Sequence, residues 1–251
     1  MHLELTGKKA LVTGSTRGIG RAIAQILHAE GCCVALNGRS AAEVLSVADE
    51  LTQAVAVVGD VTKPEEACRI VKEATEKIGG LDILICNVGS GSSVPPGEEI
   101  YEEWQRMFAL NLWSTTNIVE AARNTLVASK GAIVCISSIC GLEVVPGAPV
   151  TYSAAKAALH AYVRGIARPL GKQGVRINAV APGNVLFEGS VWSRKLQENA
   201  KSVQAMLNRD VSLSRLGTPQ DVAELVAYLA SPRSKFANGA IWTLDGGQVH
   251  S

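Results

Sequence analysis

The sequence predicts a single α/β domain built on a doubly wound parallel sheet. Short apolar runs rich in β-branched residues alternate with longer amphipathic stretches, the pattern of consecutive βαβ units. The apolar runs are continuous rather than alternating, as in strands covered by helices on both faces. The chain has 251 residues, 47% of them hydrophobic, so residues 1–251 are predicted to form one unit with a sizeable core.

Seven strands and six helices are expected in this alternation. Strands are predicted at 9–13, 33–37, 54–58, 81–86, 132–137, 176–180 and 241–244. Helices are predicted near 18–30, 41–51, 64–78, 102–128, 153–171 and 219–230. This order predicts a Rossmann-type sheet with helices on both faces.

Two segments interrupt the alternation, at 90–97 and at about 184–213. Ligands of open α/β sheets bind outside the carboxyl ends of the strands, where both segments should emerge. Both are therefore candidates for the rim of a substrate site. The second is long enough to be a lid, and the alternative is a surface excursion with a helix of its own.

Charge and composition restrict the partners. The chain carries 24 basic and 23 acidic residues, which gives no electrostatic reason to expect nucleic acid or an anionic membrane. Its first residues lack the pattern of a secretory signal and no apolar run is long enough to span a bilayer, so a cytoplasmic protein with a small-molecule partner is predicted. The six cysteines lack C-x-x-C spacing and are interpreted as small buried hydrophobes. The four histidines are interpreted as incidental, and no metal site is predicted.

A glycine-rich turn between the first strand and the first helix indicates a dinucleotide site. Glycine allows backbone amides to approach a pyrophosphate at a helix N-terminus, because a Cβ would obstruct the approach. Glycine also adopts a positive φ without the strain that a Cβ would cause. The G-x-x-x-G-x-G spacing is a stronger indication of dinucleotide binding because it lies between a predicted strand and a predicted helix. The predicted turn comprises Gly14, Ser15, Thr16, Arg17, Gly18, Ile19 and Gly20.

Two arginines favour NADP over NAD. The second predicted strand ends in Asn37-Gly38-Arg39, without the carboxylate that commonly holds the ribose 2′-hydroxyl of NAD. Arg39 and Arg17 could instead converge on a 2′-phosphate, since a guanidinium supplies charge and paired donors. The alternative is that either arginine is simply solvated.

Tyr152 and Lys156 stand four residues apart in a predicted helix. Residues at this spacing share one face, so the ammonium can act on the phenol proton. Lowering the phenol pKa from ~10 to ~7 would require about 4 kcal/mol of differential stabilisation, which nearby charges in a partly dry cleft can supply. Tyr152 is thus predicted to be a general acid and base.

These segments resemble the short-chain dehydrogenase/reductase family over nearly the whole chain. Besides the glycine turn and the Tyr-Lys pair, the resemblance includes Asp60-Val61, Asn87-Val88-Gly89, Asn111, Ser137-Ser138, Pro182-Gly183 and Asp245-Gly246-Gly247, in the family's order. It implies catalytic roles for Asn111, Ser138, Tyr152 and Lys156. Ser138 would hydrogen-bond the substrate oxygen, Asn111 would hold a proton-relaying water, and Lys156 would also hold the ribose.

The same resemblance implies where the cofactor lies and how the chain assembles. It implies adenine contacts for Asp60 and Val61, nicotinamide-ribose contacts for Asn87 and Gly89, and nicotinamide contacts for Pro182, Gly183 and Val185. It also implies a homotetramer built on the helices near 102–128 and 153–171 and the terminal strand.

Within the family the sequence is most similar to 3-oxoacyl-(acyl-carrier-protein) reductases, on Arg215-Leu216-Gly217-Thr218-Pro219 and the final Asp-Gly-Gly. It departs from the family pattern at Cys86 and Val88, and at Phe187, where many members have a threonine that contacts the carboxamide. Ser138 is assigned from its position in Ser-x-x-Gly rather than from its distance to the tyrosine.

The leading hypothesis is an NADP(H)-dependent oxidoreductase that acts on a ketone or 3-oxoacyl substrate. A sugar, polyol or sugar-nucleotide dehydrogenase is the alternative, with Glu188, Trp192, Arg194 and Lys195 as candidate contacts. A dinucleotide-binding regulator without catalysis is a third hypothesis, opposed by the complete Asn, Ser, Tyr and Lys set. The sparse basic residues Arg123, Lys130 and Lys172 leave dependence on an acyl carrier protein open.

Overall fold

The computed structural model describes residues 2–250 and contains one seven-stranded sheet. All paired strands are parallel and lie in the order β3-β2-β1-β4-β5-β6-β7. The strands are β1 (Lys9–Thr13), β2 (Cys33–Gly38), β3 (Val55–Val58), β4 (Ile83–Cys86), β5 (Ala132–Ile136), β6 (Arg176–Pro182) and β7 (Ile241–Leu244). The order reverses between β1 and β4, which creates a crevice at their carboxyl ends.

Eight α-helices accompany the strands within residues 2–250. They are α1 (Gly18–Ala29), α2 (Ala41–Glu50), α3 (Pro64–Ile78), α4 (Tyr101–Phe108), α5 (Ser114–Ser129), α6 (Val150–Gly171), α7 (Val191–Asp210) and α8 (Pro219–Ala230). The predicted doubly wound fold is confirmed, and α7 is the helix considered for the segment at 184–213. Among the described residues, no helix has both the length and the apolar character needed to cross a membrane.

The core lies on both faces of the sheet because successive strand residues point to opposite sides. Val12 packs in a cluster with α1, α2 and α8, whereas its neighbour Leu11 packs in a second cluster with α3, α5 and α6. Both side chains are fully buried, and burial of each contributes about 1.5–3 kcal/mol. The two clusters hold the strand ends, and the loops that follow them, in fixed positions.

The predicted continuous helix at 102–128 is wrong in its middle. A π-helical turn, Ala109–Trp113, separates α4 from α5. Such a turn inserts one extra residue into the helix and is frequent at functional sites. The Asn111 side chain lies in this turn and donates to the carbonyl of Met107 at 3.0 Å.

The interpretation of the cysteines as buried is only partly correct. Cys32, Cys86 and Cys135 are buried, Cys140 is partly exposed, and Cys33 and Cys68 are exposed; all six are free. Cys33 is exposed at the first position of β2, and Cys68 lies on the outer face of α3, whose buried residues are Ala67, Ile70, Val71 and Ala74.

The segment at 184–213, called the rim segment below, is attached to the turn that precedes α8. Leu186 donates a backbone hydrogen bond to Gly217, which in turn donates to Asn184, both at 2.8 Å. Gly217 precedes Thr218, whose side chain and Asp221 form a capping box at the N-terminus of α8. The Arg215 guanidinium bonds both oxygens of Asp221 and holds the pKa of that carboxyl well below its usual range. This capped turn fixes one end of the rim segment.

Candidate active site

The glycine-rich turn leaves β1 at the crevice and enters α1. Gly14 and Gly18 have φ of +62° and +52°, which strain any residue with a Cβ. A methyl group at Gly20 would lie 2.2 Å from the Gly14 carbonyl oxygen. No side chain of residues 2–250 caps the N-terminus of α1. The first amides of this helix are therefore available to an anion.

Asn87 holds this turn against β4. Its side-chain amide donates to the carbonyls of Thr13 at 3.1 Å and Gly14 at 2.9 Å, and its backbone amide donates to the Thr13 hydroxyl at 3.0 Å. Ser15 is buried and donates to the Asn37 carbonyl at 3.2 Å. These hydrogen bonds tie the turn to the ends of three adjacent strands.

The adenine end of the expected cofactor site lies beside β2 and β3. Arg17 and Arg39 are exposed, and neither guanidinium has an ion-pair or side-chain hydrogen-bond partner among the described residues. Thr16 lies beside Gly38 at the end of β2, since a methyl group at Gly38 would lie 2.8 Å from Thr16 Cγ2. Arg39 follows Gly38 at this end of β2, whereas the Arg17 guanidinium lies against the rim segment, since a methyl group at Gly189 would lie 3.1 Å from Arg17 Nη1.

The predicted adenine contacts follow β3. Asp60 accepts hydrogen bonds from the Thr62 amide at 3.0 Å and hydroxyl at 2.8 Å, while its own amide donates to Glu66 at 2.8 Å. Val61 is buried. The loop is thus a fixed turn at the same edge of the sheet as the glycine-rich turn.

Tyr152, Lys156 and Ser138 meet at the carboxyl end of β5. Tyr152 and Lys156 lie in the first turns of α6, with Lys156 Nζ 5.9 Å from the Tyr152 ring centroid. The buried Lys156 ammonium donates to the Ile136 carbonyl at 2.9 Å. Ser138 follows β5 in extended conformation and accepts from the Cys140 amide at 3.2 Å. The predicted catalytic groups therefore share one small volume.

Burial dominates the proton affinities of this cluster. Burial lowers the pKa of Lys156 to about 8, because a charge is poorly solvated there. Burial also raises the pKa of Tyr152 above its ordinary value, while the nearby Ser138 hydroxyl lowers it. Burial therefore acts against the depression of the Tyr152 pKa that is expected from Lys156 and an oxidised nicotinamide. Tyr152 thus holds its proton more tightly than a solvated tyrosine does.

Asn111 is fully buried beneath this cluster. Its side-chain oxygen accepts from the Ser90 amide at 3.0 Å, and its side-chain nitrogen donates to the Ser90 carbonyl at 3.1 Å. A methyl group at Gly89 would lie 2.8 Å from Asn111 Oδ1 and 3.3 Å from Lys156 Nζ. The π-helical turn thus joins the loop after β4 to α6.

His160 is the residue of this region that the sequence analysis missed. It is buried one helical turn beyond Lys156, with Nε2 2.6 Å from Ser137 Oγ and Nδ1 3.1 Å from the Gly141 carbonyl. Burial lowers the pKa of His160 to about 4. It is a neutral connector between α6 and the segment that carries Ser138, so its interpretation as incidental is wrong. The i, i+4, i+8 spacing from Tyr152 was the available signal.

The segment after β6 closes the other side of the crevice. Pro182 ends the strand, and a methyl group at Gly183 would lie 2.9 Å from the backbone of Asp245. Val185 is buried. Phe187 lies against the glycine-rich turn, since a methyl group at Gly18 would approach its ring to 2.6 Å. Phe187, which stands where many family members have a threonine, thus makes an apolar contact with the glycine-rich turn.

These residues fit a nicotinamide dinucleotide. The glycine turn leaves the space that a Cβ would fill and presents helix amides suited to a pyrophosphate. At the same edge lie a phenol, an ammonium and a hydroxyl, the groups needed to move a proton at a substrate oxygen. Such a fold and site define an NAD(P)-dependent oxidoreductase acting on CH–OH or C=O groups.

Comparison with known proteins identifies the family. A family model described as enoyl-(acyl carrier protein) reductase matches residues 14–249. The hydroxynaphthalene reductase-like protein Arp2 of Metarhizium robertsii is 35% identical over 261 residues, covering 98% of this chain and 96% of that protein. The chain belongs to the short-chain dehydrogenase/reductase family.

Two solved structures share the fold over the whole chain. L-sorbose reductase from Gluconobacter frateurii, complexed with NADPH and L-sorbose, superposes with a TM-score of 0.92 at 27% identity, covering 100% of both chains. A 7α-hydroxysteroid dehydrogenase complexed with NADH and 7-oxo glycochenodeoxycholic acid superposes with a TM-score of 0.90 at 29% identity, covering 100% of this chain and 97% of that one. The similar structures thus include one NADPH complex and one NADH complex.

Proposed function

We propose that the protein is an NADP(H)-dependent carbonyl reductase that uses Tyr152 as its general acid. The observation that carries the proposal is the meeting of Tyr152, Lys156 and Ser138 at the same sheet edge as the glycine-rich turn. A protein that merely bound a dinucleotide would not need this set of groups.

When bound, the reduced nicotinamide supplies the hydride. Tyr152 donates its proton to the substrate oxygen as negative charge develops there. Ser138 donates a hydrogen bond to the same oxygen, and this bond strengthens towards the transition state. The ammonium of Lys156 stabilises the phenolate that remains on Tyr152. Asn111 keeps the loop after β4 in register with the catalytic helix through its two hydrogen bonds to Ser90.

Arg17 and Arg39 support a preference for NADP(H). Both guanidinium groups are exposed and have no carboxylate partner among residues 2–250. The end of β2 also presents Asn37 and Gly38 in place of an acidic residue, and Asn37 is itself buried and bonded to the Val57 carbonyl at 3.0 Å. A 2′-phosphate would give the two cations a shared counter-charge.

We favour a ketone or 3-oxoacyl substrate, in line with the similarity to the hydroxynaphthalene reductase-like protein. A sugar or polyol substrate is the second candidate, supported by the similarity to L-sorbose reductase. Among the proposed sugar contacts, Trp192 packs in the small apolar cluster of α7, and Lys195 Nζ lies 4.7 Å from its ring centroid. This packing weakens the second candidate.

A cofactor-fluorescence screen tests the proposal. Purified protein is incubated with NADPH and, separately, with acyl thioesters, simple and aryl ketones, ketoses and nucleotide sugars. Loss of NADPH fluorescence with ketones or 3-oxoacyl thioesters is the expected result. Turnover of sugars alone would favour the second candidate, and no turnover despite cofactor binding would contradict the proposal.

We also propose that this chain assembles as a homotetramer in the cytoplasm. Large apolar side chains are exposed at the helices that the family resemblance assigns to subunit contact, namely Tyr101 and Trp113 around α4 and Val150 at the start of α6. Burying such surfaces in an interface is favourable. Light scattering coupled to size-exclusion chromatography is expected to give four times the mass of one 26.3 kDa chain.

A further inference from the structure

The loop after β4 is attached to two helices by a polar network. Ser93 Oγ donates to Glu103 Oε1 of α4 at 2.6 Å and lies 2.7 Å from Thr151 Oγ1 of α6. Since the Ser93 proton is directed to the carboxylate, the Thr151 hydroxyl is the donor in the second bond. Arg106 donates to Glu103 Oε2 at 2.8 Å and to the Ser92 carbonyl at 2.8 Å. The loop is therefore joined to α4 through Glu103 and Arg106, and to α6 through the Ser93–Thr151 hydrogen bond.

The network combines one ion pair with two largely buried side chains. The Glu103 side chain is only 14% exposed, and Thr151, which immediately precedes Tyr152, is fully buried. Hydrogen bonds from Arg106 and Ser93 lower the pKa of Glu103 to about 2. The Arg106 side chain is 45% exposed, so the hold on the loop comes from several charge-assisted hydrogen bonds to one carboxylate rather than from burial of the whole network.

The loop held in this way faces the catalytic tyrosine. A methyl group at Gly91 would lie 3.8 Å from both Cε1 and Cζ of Tyr152, an ordinary contact, and would meet no other atom within 4 Å. Cζ is the carbon that bears the hydroxyl. The missing side chain at Gly91 thus leaves an open space directly beside the proton donor.

We propose that residues 91–93 form one wall of the substrate site, that the space left at Gly91 admits a bulky substituent beside the carbonyl, and that Glu103 is the positioning residue of this wall. The inference rests on the proposed function and adds a substrate class to it, ketones with an aryl or comparably large substituent. Shape at such a wall discriminates substrates because one added or missing methylene in contact with it changes kcat/KM by about 10–200-fold.

Three variants and a matched control test the wall. Gly91→Val fills the space, Glu103→Gln removes the charge, and Ser93→Ala breaks the bridge with minimal change in volume. The control is Glu73→Gln, because Glu73 on α3 also pairs with an arginine, Arg69, but lies outside the helices proposed for subunit contact. For each protein we would measure kcat/KM for an aryl ketone and for a small aliphatic ketone, the enantiomeric ratio of the alcohol, and the Kd for NADPH.

Gly91→Val is expected to lower kcat/KM for the aryl ketone at least ~10-fold and for the small ketone less than ~3-fold. Glu103→Gln and Ser93→Ala are expected to raise KM for the aryl ketone and to reduce the enantiomeric ratio, whereas the control matches the wild type. The Kd for NADPH should be unchanged in all four variants. Equal losses for both ketones, or an unchanged enantiomeric ratio in both Glu103→Gln and Ser93→Ala, would overturn the inference alone. If the wild type reduces no carbonyl compound, the proposed function fails first and the inference falls with it.

Discussion

The imidazole of His160 lies 2.6 Å from the hydroxyl of Ser137, next to the serine assigned to the substrate oxygen. The same ring reaches the Gly141 carbonyl on the other side of Ser138. A residue outside the predicted catalytic set thus holds both flanks of the segment that carries Ser138.

This arrangement predicts an acid sensitivity of stability. The pKa of His160 is lowered by burial to about 4 from an ordinary value of 6.5, so the unfolded chain binds this proton at a higher pH than the folded protein. Stability is therefore fully present above pH 6.5 and is lost as the pH falls towards 4. Relative to a His160→Gln variant, the wild type should lose about 2–3 kcal/mol of unfolding free energy between pH 7 and pH 4. Urea unfolding at several pH values measures this difference, and parallel pH profiles of the two proteins would contradict it.

Gly20→Ala should disrupt the dinucleotide site. Its new methyl group would lie 2.2 Å from the Gly14 carbonyl oxygen and 2.4 Å from Asn87 Nδ2, so the turn must open at a cost of about 1–3 kcal/mol. We expect the Kd for NADPH, measured by fluorescence titration, to rise at least ~10-fold through the loss of the aligned amides. The matched control is Gly165→Ala on α6, where a methyl group meets nothing within 4 Å. Equal NADPH binding by both variants would refute this role of the turn.

Arg39→Ala should weaken NADPH binding selectively. A charge-assisted hydrogen bond to a phosphate contributes about 1.5–3 kcal/mol, so the Kd for NADPH is expected to rise at least ~10-fold while the Kd for NADH changes less than ~2-fold. Arg21→Ala is the control, because Arg21 lies on α1 and is paired with Glu50. Isothermal titration with both cofactors measures the effect. A wild type that binds NADH as tightly as NADPH would contradict the proposed preference.

Most of the fold could be predicted from local patterns in the sequence. The strands and helices follow from apolar periodicity, and the crevice follows from the alternation of β and α elements. The positions of Tyr152 and Lys156 on one face of α6 required only the helical repeat.

What the sequence did not reveal depends on contacts between distant residues. The π-helical turn at Asn111 is bonded to Ser90, 21 residues away, and His160 gains its role from Ser137, 23 residues away. Phe187 meets Gly18 only after the rim folds back over the turn. The raised pKa of Tyr152 depends on burial, which the spacing of two residues does not specify.

The central claim is that Tyr152 donates the proton while hydride is transferred at the adjacent carbon. The most direct test is single-turnover reduction of a ketone with NADPH by the wild type and by Tyr152→Phe, with the Kd for NADPH measured in parallel. We predict a fall of at least ~100-fold in the reduction rate, the usual scale for loss of a general acid, with an unchanged Kd. A Tyr152→Phe variant that reduces the ketone at nearly the wild-type rate would contradict the account.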